Sequence, residues 1–130
     1  MGTDLSAYIE YGRNDAKHGA VRRVLGEVWL HRTYVLFGLM AGIRGDEQLF
    51  TARGLPANVE SILAEICNES GETASWLTAN ELVQVLSRLQ ELSPNNDNIE
   101  LLKATIEAMR SLDKDQQLEN HSRLVFWVDS

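Results

Sequence analysis

Residues that could do chemistry gather at a few points along this chain. Asp4, Glu10 and Asp129 lie in segments that read as the first and last strands of one sheet. If those strands pair, the carboxylates converge, and paired carboxylates can bind a divalent cation or share a proton. Acids at strand ends that simply face water are the plainer alternative. His31, Arg32 and Tyr34 fall at a strand-to-helix junction, where polar groups can face a cleft. With Asp4 and Arg44 they outline a pocket at the strand ends, and an arginine pair suits a phosphate-bearing ligand such as a nucleotide.

Other chemistries lack their signatures. His18, His31 and His121 include no pair three or four residues apart, so zinc is not expected. Neither a G-x-S-x-G elbow nor a Walker loop nor a G-x-G-x-x-G turn is present. Cys67 falls on the apolar stripe of a helix and reads as core. No catalytic residue, metal or cofactor is assigned. Trp76 and Trp127 stand beside polar loops and suit either the core or an interface, where Trp is enriched.

The elements that must position these residues are legible from periodicity. Leu5–Tyr11 and Arg123–Asp129 read as strands, and both faces of the second are apolar, which places it centrally. Gly12 to Gly19 reads as a hairpin loop and Val21–Leu30 as the partner strand, with a bulge at Leu25-Gly26. Tyr34–Ile43 suits a short buried helix ending at Gly42 or Gly45, followed by a loop from Arg44 to Pro56. From Asn58, the stripe of Val59, Ile62, Leu63, Ile66 and Cys67 marks an amphipathic helix.

Thr78 and Glu81 form a capping box flanked by Leu77 and Leu82, so a helix starts there and ends at Ser93-Pro94-Asn95-Asn96. Asp97 and Glu100 repeat the capping spacing before a third stripe of Leu102, Ile106, Met109 and Leu112. The expected fold is α+β, a small, mainly antiparallel sheet holding both termini as strands and packed by three to four helices. It forms a single domain over residues 1–130.

At 130 residues the chain can bury a core without disulfides, and Cys67 is its only cysteine, which fits a reducing cytoplasm. Asp4 and Glu10 stand where a signal peptide needs cations and then an apolar run, and no apolar stretch approaches the roughly 18 residues of a membrane span. The formal charge of −7 argues against direct nucleic-acid binding and favours a partner with a basic surface. Most cations precede Gly54, whereas Glu60 to Glu119 is acid-rich. Glu65, Glu69 and Glu72, with Glu100 and Glu107, could present a negative surface that competes with nucleic acid for a basic groove. Ordinary solvated helix faces have the same composition.

The opening Met1-Gly2-Thr3-Asp4-Leu5-Ser6-Ala7-Tyr8-Ile9-Glu10-Tyr11 resembles that of a family of small phage and prophage proteins that begin M-G-C-D-I-H-x-Y-x-E and end R-L-V-F-W-F-D. Three further blocks resemble it: Arg32–Phe37 through Ala41–Arg44, then Gly54-Leu55-Pro56 with Ser75–Thr78, and finally Arg123–Trp127. The resemblance implies a phage or mobile-element origin and action in the cytoplasm of a bacterial host, with no assigned reaction. Where the family has Cys and His near the start, this chain has Thr3 and Ser6, and Glu72-Thr73-Ala74 replaces a His-rich stretch. What the resemblance leaves of a shared pocket is Asp4, Arg32, Tyr34, Arg44, Ser75 and Trp76, a set fitter for binding than for hydrolysis.

Three functional expectations follow. The first is an acidic phage-type accessory protein, anti-CRISPR-like, that inhibits a host defence or nucleic-acid-binding protein by covering its basic surface, with Trp76 as an apolar contact. The second is a small-ligand or nucleotide-binding protein, conceivably an enzyme, using the pocket near Asp4, His31, Arg32, Tyr34 and Arg44. The third is a homo-oligomeric structural module.

Overall fold

The computed structural model describes residues 2–15, 19–114 and 122–129, with side chains outside 13–15, 19–21 and 68–72. The elements run β1 (Asp4–Asp15), β2 (Gly19–Glu27), α1 (Tyr34–Ala41), α2 (Ser61–Ser70), β3 (Gly71–Thr78), α3 (Ala79–Leu92), α4 (Ile99–Asp113) and β4 (Arg123–Asp129). The strands form one antiparallel sheet in the order β2-β1-β4-β3. The first and last strands are thus the two central ones, paired from Asp4 opposite Asp129 to Glu10 opposite Arg123. The α+β fold expected from the pattern is the fold observed.

Period-two alternation explains the layers. Leu5, Ala7, Ile9, Leu77, Leu124 and Phe126 point to one face, where they pack against buried residues of α1, α3 and α4. Val125 and Trp127 point to the other, joined by Tyr8, Val24 and Trp76 and covered by Leu63 and Cys67 of α2. Tyr8 stacks on Trp127 with ring centroids 5.5 Å apart. Three helices therefore lie on one face of the sheet and α2 on the opposite face.

Local signals account for most boundaries. The Thr78 hydroxyl accepts from the Glu81 N–H while the Glu81 carboxylate accepts from the Thr78 N–H, completing the capping box of α3. Gly42 ends α1 at φ 72°, a left-handed position that suits glycine. The bulge lies where Ile9 faces Gly26 and Glu10 faces Val24. Among the described residues, no helix is long and apolar enough to cross a membrane.

Four local expectations are corrected. Pairing of β1 with β2 continues to Asp15 opposite Gly19, so most of the expected hairpin loop is strand, and β2 ends at Glu27 rather than Leu30. The helix expected from Asn58 starts at Ser61, because the Glu60 carboxylate folds back to accept the Ile62 N–H at 2.8 Å. In that setting Ile62 is 59% exposed instead of buried, and Leu63 and Cys67 carry the contact with the sheet. Residues 71–78 form an edge strand that their short, polar pattern did not announce. Finally, Asp97 does not cap α4: Asn98 is the N-cap residue, and its side chain is bonded elsewhere.

Candidate functional site

The residues predicted to line a pocket at the strand ends are largely brought together. Arg32 donates to both oxygens of Asp4, Nε to Oδ1 at 2.9 Å and Nη2 to Oδ2 at 2.8 Å. The guanidinium beside it holds the Asp4 carboxyl below its ordinary value. One residue earlier, the Thr3 N–H donates to the Tyr34 hydroxyl at 3.0 Å, and the Thr3 hydroxyl accepts from Arg44 at 2.9 Å. The Arg44 guanidinium lies over the Tyr34 ring, 4.8 Å from its centroid. Asp4, Arg32, Tyr34 and Arg44 are thereby tied together through Thr3.

Backbone packing fixes this cluster. Gly38 in α1 and Gly45 in the following loop meet so closely that a Cβ on Gly38 would lie 2.6 Å from the Gly45 Cα, and one on Gly45 would lie 2.4 Å from the Tyr34 carbonyl oxygen. Between Gly42 and Gly45 the chain must turn sharply, and Arg44 occupies the left-handed region at φ 55°. A side chain there costs about 1 kcal/mol. The turn opens a cleft of about 550 Å³ bounded by Tyr34, Val35, Arg44, Asp46 and Leu92. Val35 and Leu92 present exposed apolar surface there.

His31 and Ser75 stand apart from that cleft. His31 lines a separate depression of about 220 Å³ with Arg32, Asn95 and Asn96. Ser75 is buried on edge strand β3, where its hydroxyl accepts from the Arg53 N–H at 3.0 Å. That bond and the Gly54 N–H to Ala74 carbonyl bond at 2.8 Å seat the loop along the outer edge of β3. His18 and His121 lie outside the described residues.

The three strand carboxylates do not form a common centre. Asp129 faces Asp4 across the strands, but both its oxygens accept from the Ser6 hydroxyl, at 2.9 and 2.7 Å. Glu10 is wholly buried, and its Oε1 accepts from Arg22 at 3.0 and 2.8 Å and from Arg123 at 2.6 Å. Its Oε2 accepts from the Glu60 N–H at 2.6 Å, which joins β1 to the start of α2. Burial pushes the Arg123 guanidinium below its ordinary value. This cluster pins together β1, β2, β4 and α2. Sequence reasoning missed it, although alternation places Glu10 and Arg22 on the apolar face under α2, an anomaly that called for partners.

Trp76 is half-buried on the same face. Arg53 lies over its ring at 4.6 Å and Arg123 at 5.9 Å, while Arg53 also donates to both Glu81 oxygens through Nη1 and Nη2. The Trp76 ring therefore has cations against it. Cys67 is buried, and that burial pushes its thiol up.

The acidic residues expected to form the negative surface fall on two separate layers. Glu100 and Glu107 are on α4 and Glu65 is on α2, with the sheet between them. Glu69 also belongs to α2, and Glu72 to β3. The α4 group is compensated: Glu100 pairs with Lys103 at 3.2 Å, and Glu107 borders a groove with Lys103, Arg110 and Lys114. Around the α2 group the sequence supplies no Lys or Arg between Gly54 and Ser87. No protein-family model, curated protein or solved structure matches this chain.

Proposed function

We propose that this chain is a phage-type accessory protein that binds a host or defence protein through its α2 layer and covers a basic, nucleic-acid-binding surface. One observation carries the reading: α2 is the one described helix on its face of the sheet and presents Glu65 beside the exposed Ile62, with no Lys or Arg in sequence from Gly54 to Ser87. An acidic helix face steers association with a cationic partner, and an exposed apolar residue beside it supplies contact that salt does not screen. Such a mechanism suits anti-CRISPR-like inhibition, in which nucleic acid and inhibitor compete for one groove.

The test is affinity capture of the tagged protein from bacterial lysate with co-expressed defence complexes, followed by calorimetry on the captured partner at low and high salt. Glu65→Lys should weaken binding about tenfold or more, with Ile62→Asp comparable, whereas Glu100→Lys on the opposite layer should have little effect. Binding that ignores salt and both α2 substitutions would remove the mechanism.

A second reading is favoured by the convergence of Asp4, Arg32, Tyr34 and Arg44 on Thr3 beside an open cleft. It makes the chain a binder of a small phosphate-bearing ligand. Thermal-shift measurements against nucleotides at millimolar concentration test it, and a flat response counts against it.

A further inference from the structure

On the face opposite α2, the hairpin of α3 and α4 encloses a groove of about 430 Å³. Val83, Leu86 and Ile106 form its apolar part, and Lys103, Arg110 and Lys114 stand along it. A second depression of about 330 Å³ extends it past Arg110 and Lys114 toward Thr78 and Asn80. The cations sit at i, i+7 and i+11, on one face of the helix, and cover about 16 Å along its axis. Among the described residues, Lys103 pairs with Glu100, whereas neither Arg110 nor Lys114 has an ion-pair partner. Among the described residues, Glu107 and Asp113 are the acids lining these depressions, and Asp113 accepts the Ser122 N–H at 2.5 Å.

In a chain of net charge −7, the lining of this groove, three cations to one acid, has the opposite sign beside apolar surface. The chemistry selects the occupant. A free inorganic anion would use the cations but leave the apolar floor in water. An anionic bilayer or nucleic acid extends well beyond the groove and would also meet the acidic surface around it, which a short helix lying within the groove does not. An amphipathic helix matches both features, because its apolar stripe fills a groove while its flanking carboxylates meet the cations.

We propose that the α3–α4 groove docks an acidic amphipathic helix of a partner protein, with its apolar stripe on Val83, Leu86 and Ile106 and its carboxylates on Arg110 and Lys114. Together with the α2 surface this gives the chain two recognition faces of opposite charge.

The probe is a fluorescein-labelled peptide of about 14 residues, with leucines at i, i+3, i+4 and i+7 and glutamates elsewhere. Its fluorescence anisotropy is followed on titration with the full chain. Saturable binding is expected, weakened about tenfold or more by Arg110→Glu with Lys114→Glu and unchanged by Glu65→Lys on α2. That last variant separates failure of the groove from failure of the α2 surface. Because Arg110→Gln removes charge without reversing it, it should give an intermediate loss and serves if the double variant melts early. The proposal is overturned if a scrambled or lysine-for-glutamate peptide binds equally, or if the groove variants bind like the parent. Capture of the chain by phosphatidylglycerol vesicles, or a dimer that the groove variants dissociate, would likewise overturn it in favour of a lipid or a second copy.

Discussion

Asn98 bonds the backbone of His31 at two points: its Oδ1 accepts the His31 N–H at 2.8 Å and its Nδ2 donates to the His31 carbonyl at 2.8 Å. The side chain is wholly buried. Asn96 extends the link, accepting the Asn98 N–H at 3.0 Å and donating to the Thr33 hydroxyl at 3.1 Å. The turn between α3 and α4 thus holds the segment that delivers Tyr34 to the cleft and Arg32 to its pair with Asp4. This also explains why Asn98 stands at the start of α4 without capping it.

Replacing Asn98 by Ala should lower stability by roughly 2–3 kcal/mol, because a buried backbone donor and acceptor both lose their partner. Asn98→Asp keeps the acceptor but loses the donor and buries a charge, so it should be no milder. Urea midpoints of the two variants test this. Midpoints equal to the parent's would show that the two bonds add nothing.

The Glu10 cluster predicts a larger effect. Arg22 and Arg123 are nearly buried around one carboxylate, and the Arg22 Nη1 has no hydrogen-bond partner among the described residues. Glu10→Gln leaves two guanidiniums without their counter-charge and should cost about 3–5 kcal/mol. A triple variant replacing Glu10, Arg22 and Arg123 with Leu or Met should recover part of that loss, since it removes the desolvated charges together. Chemical denaturation of both variants measures the difference, and a triple variant less stable than Glu10→Gln would contradict the argument.

How much of this was legible in the sequence depends on the range of the interaction. Residue patterns announced the elements whose signals are local: the Thr78 and Glu81 box, Gly42 after α1, and the two-faced strand from Leu124 to Val128. They did not announce β3, whose described residues facing α1, α3 and α4 are Ser75 and Leu77 and whose Gly71, Thr73 and Thr78 resemble a loop. Thr73 even adopts φ 49°, at an irregularity that separates the pairing of Glu72 from that of Ser75. The proximity of Asp4, Arg32, Tyr34 and Arg44 was expected, because a strand-to-helix junction brings such residues near one another, and of the four Tyr34 and Arg44 line the cleft. Ser75 could not be excluded from it without knowing that β3 lies two strands away from β1.

Glu81 makes stability depend on pH. Arg53 first, and then Thr78, hold its carboxyl below the ordinary value of 4.5, against the opposing effect of burial. A carboxyl depressed in the folded state stabilises fully above its unfolded pKa and loses that stabilisation as pH falls through the folded one. Glu81→Gln retains a side chain able to accept the Thr78 N–H but has no charge for Arg53. The parent should therefore exceed this variant by about 1 kcal/mol near neutrality, with the gap closing between about pH 5 and pH 3. Urea denaturation across that interval tests the sign, and a gap that widens in acid would refute it.

Arg44 allows backbone cost to be separated from side-chain contacts. Both Arg44→Ala and Arg44→Gly lose the stacking on Tyr34 and the bond to Thr3, but only Gly occupies φ 55° without a Cβ penalty. The Gly variant should be more stable than the Ala variant by about 1 kcal/mol. If the cleft holds a phosphate-bearing ligand, both variants should lose the ligand-induced rise in melting temperature equally, because both lack the guanidinium. Equal stabilities would mean that the turn relaxes around Ala. A ligand response preserved in either variant would move phosphate recognition from Arg44 to Arg32, which would then have to exchange its bond to Asp4 for the ligand.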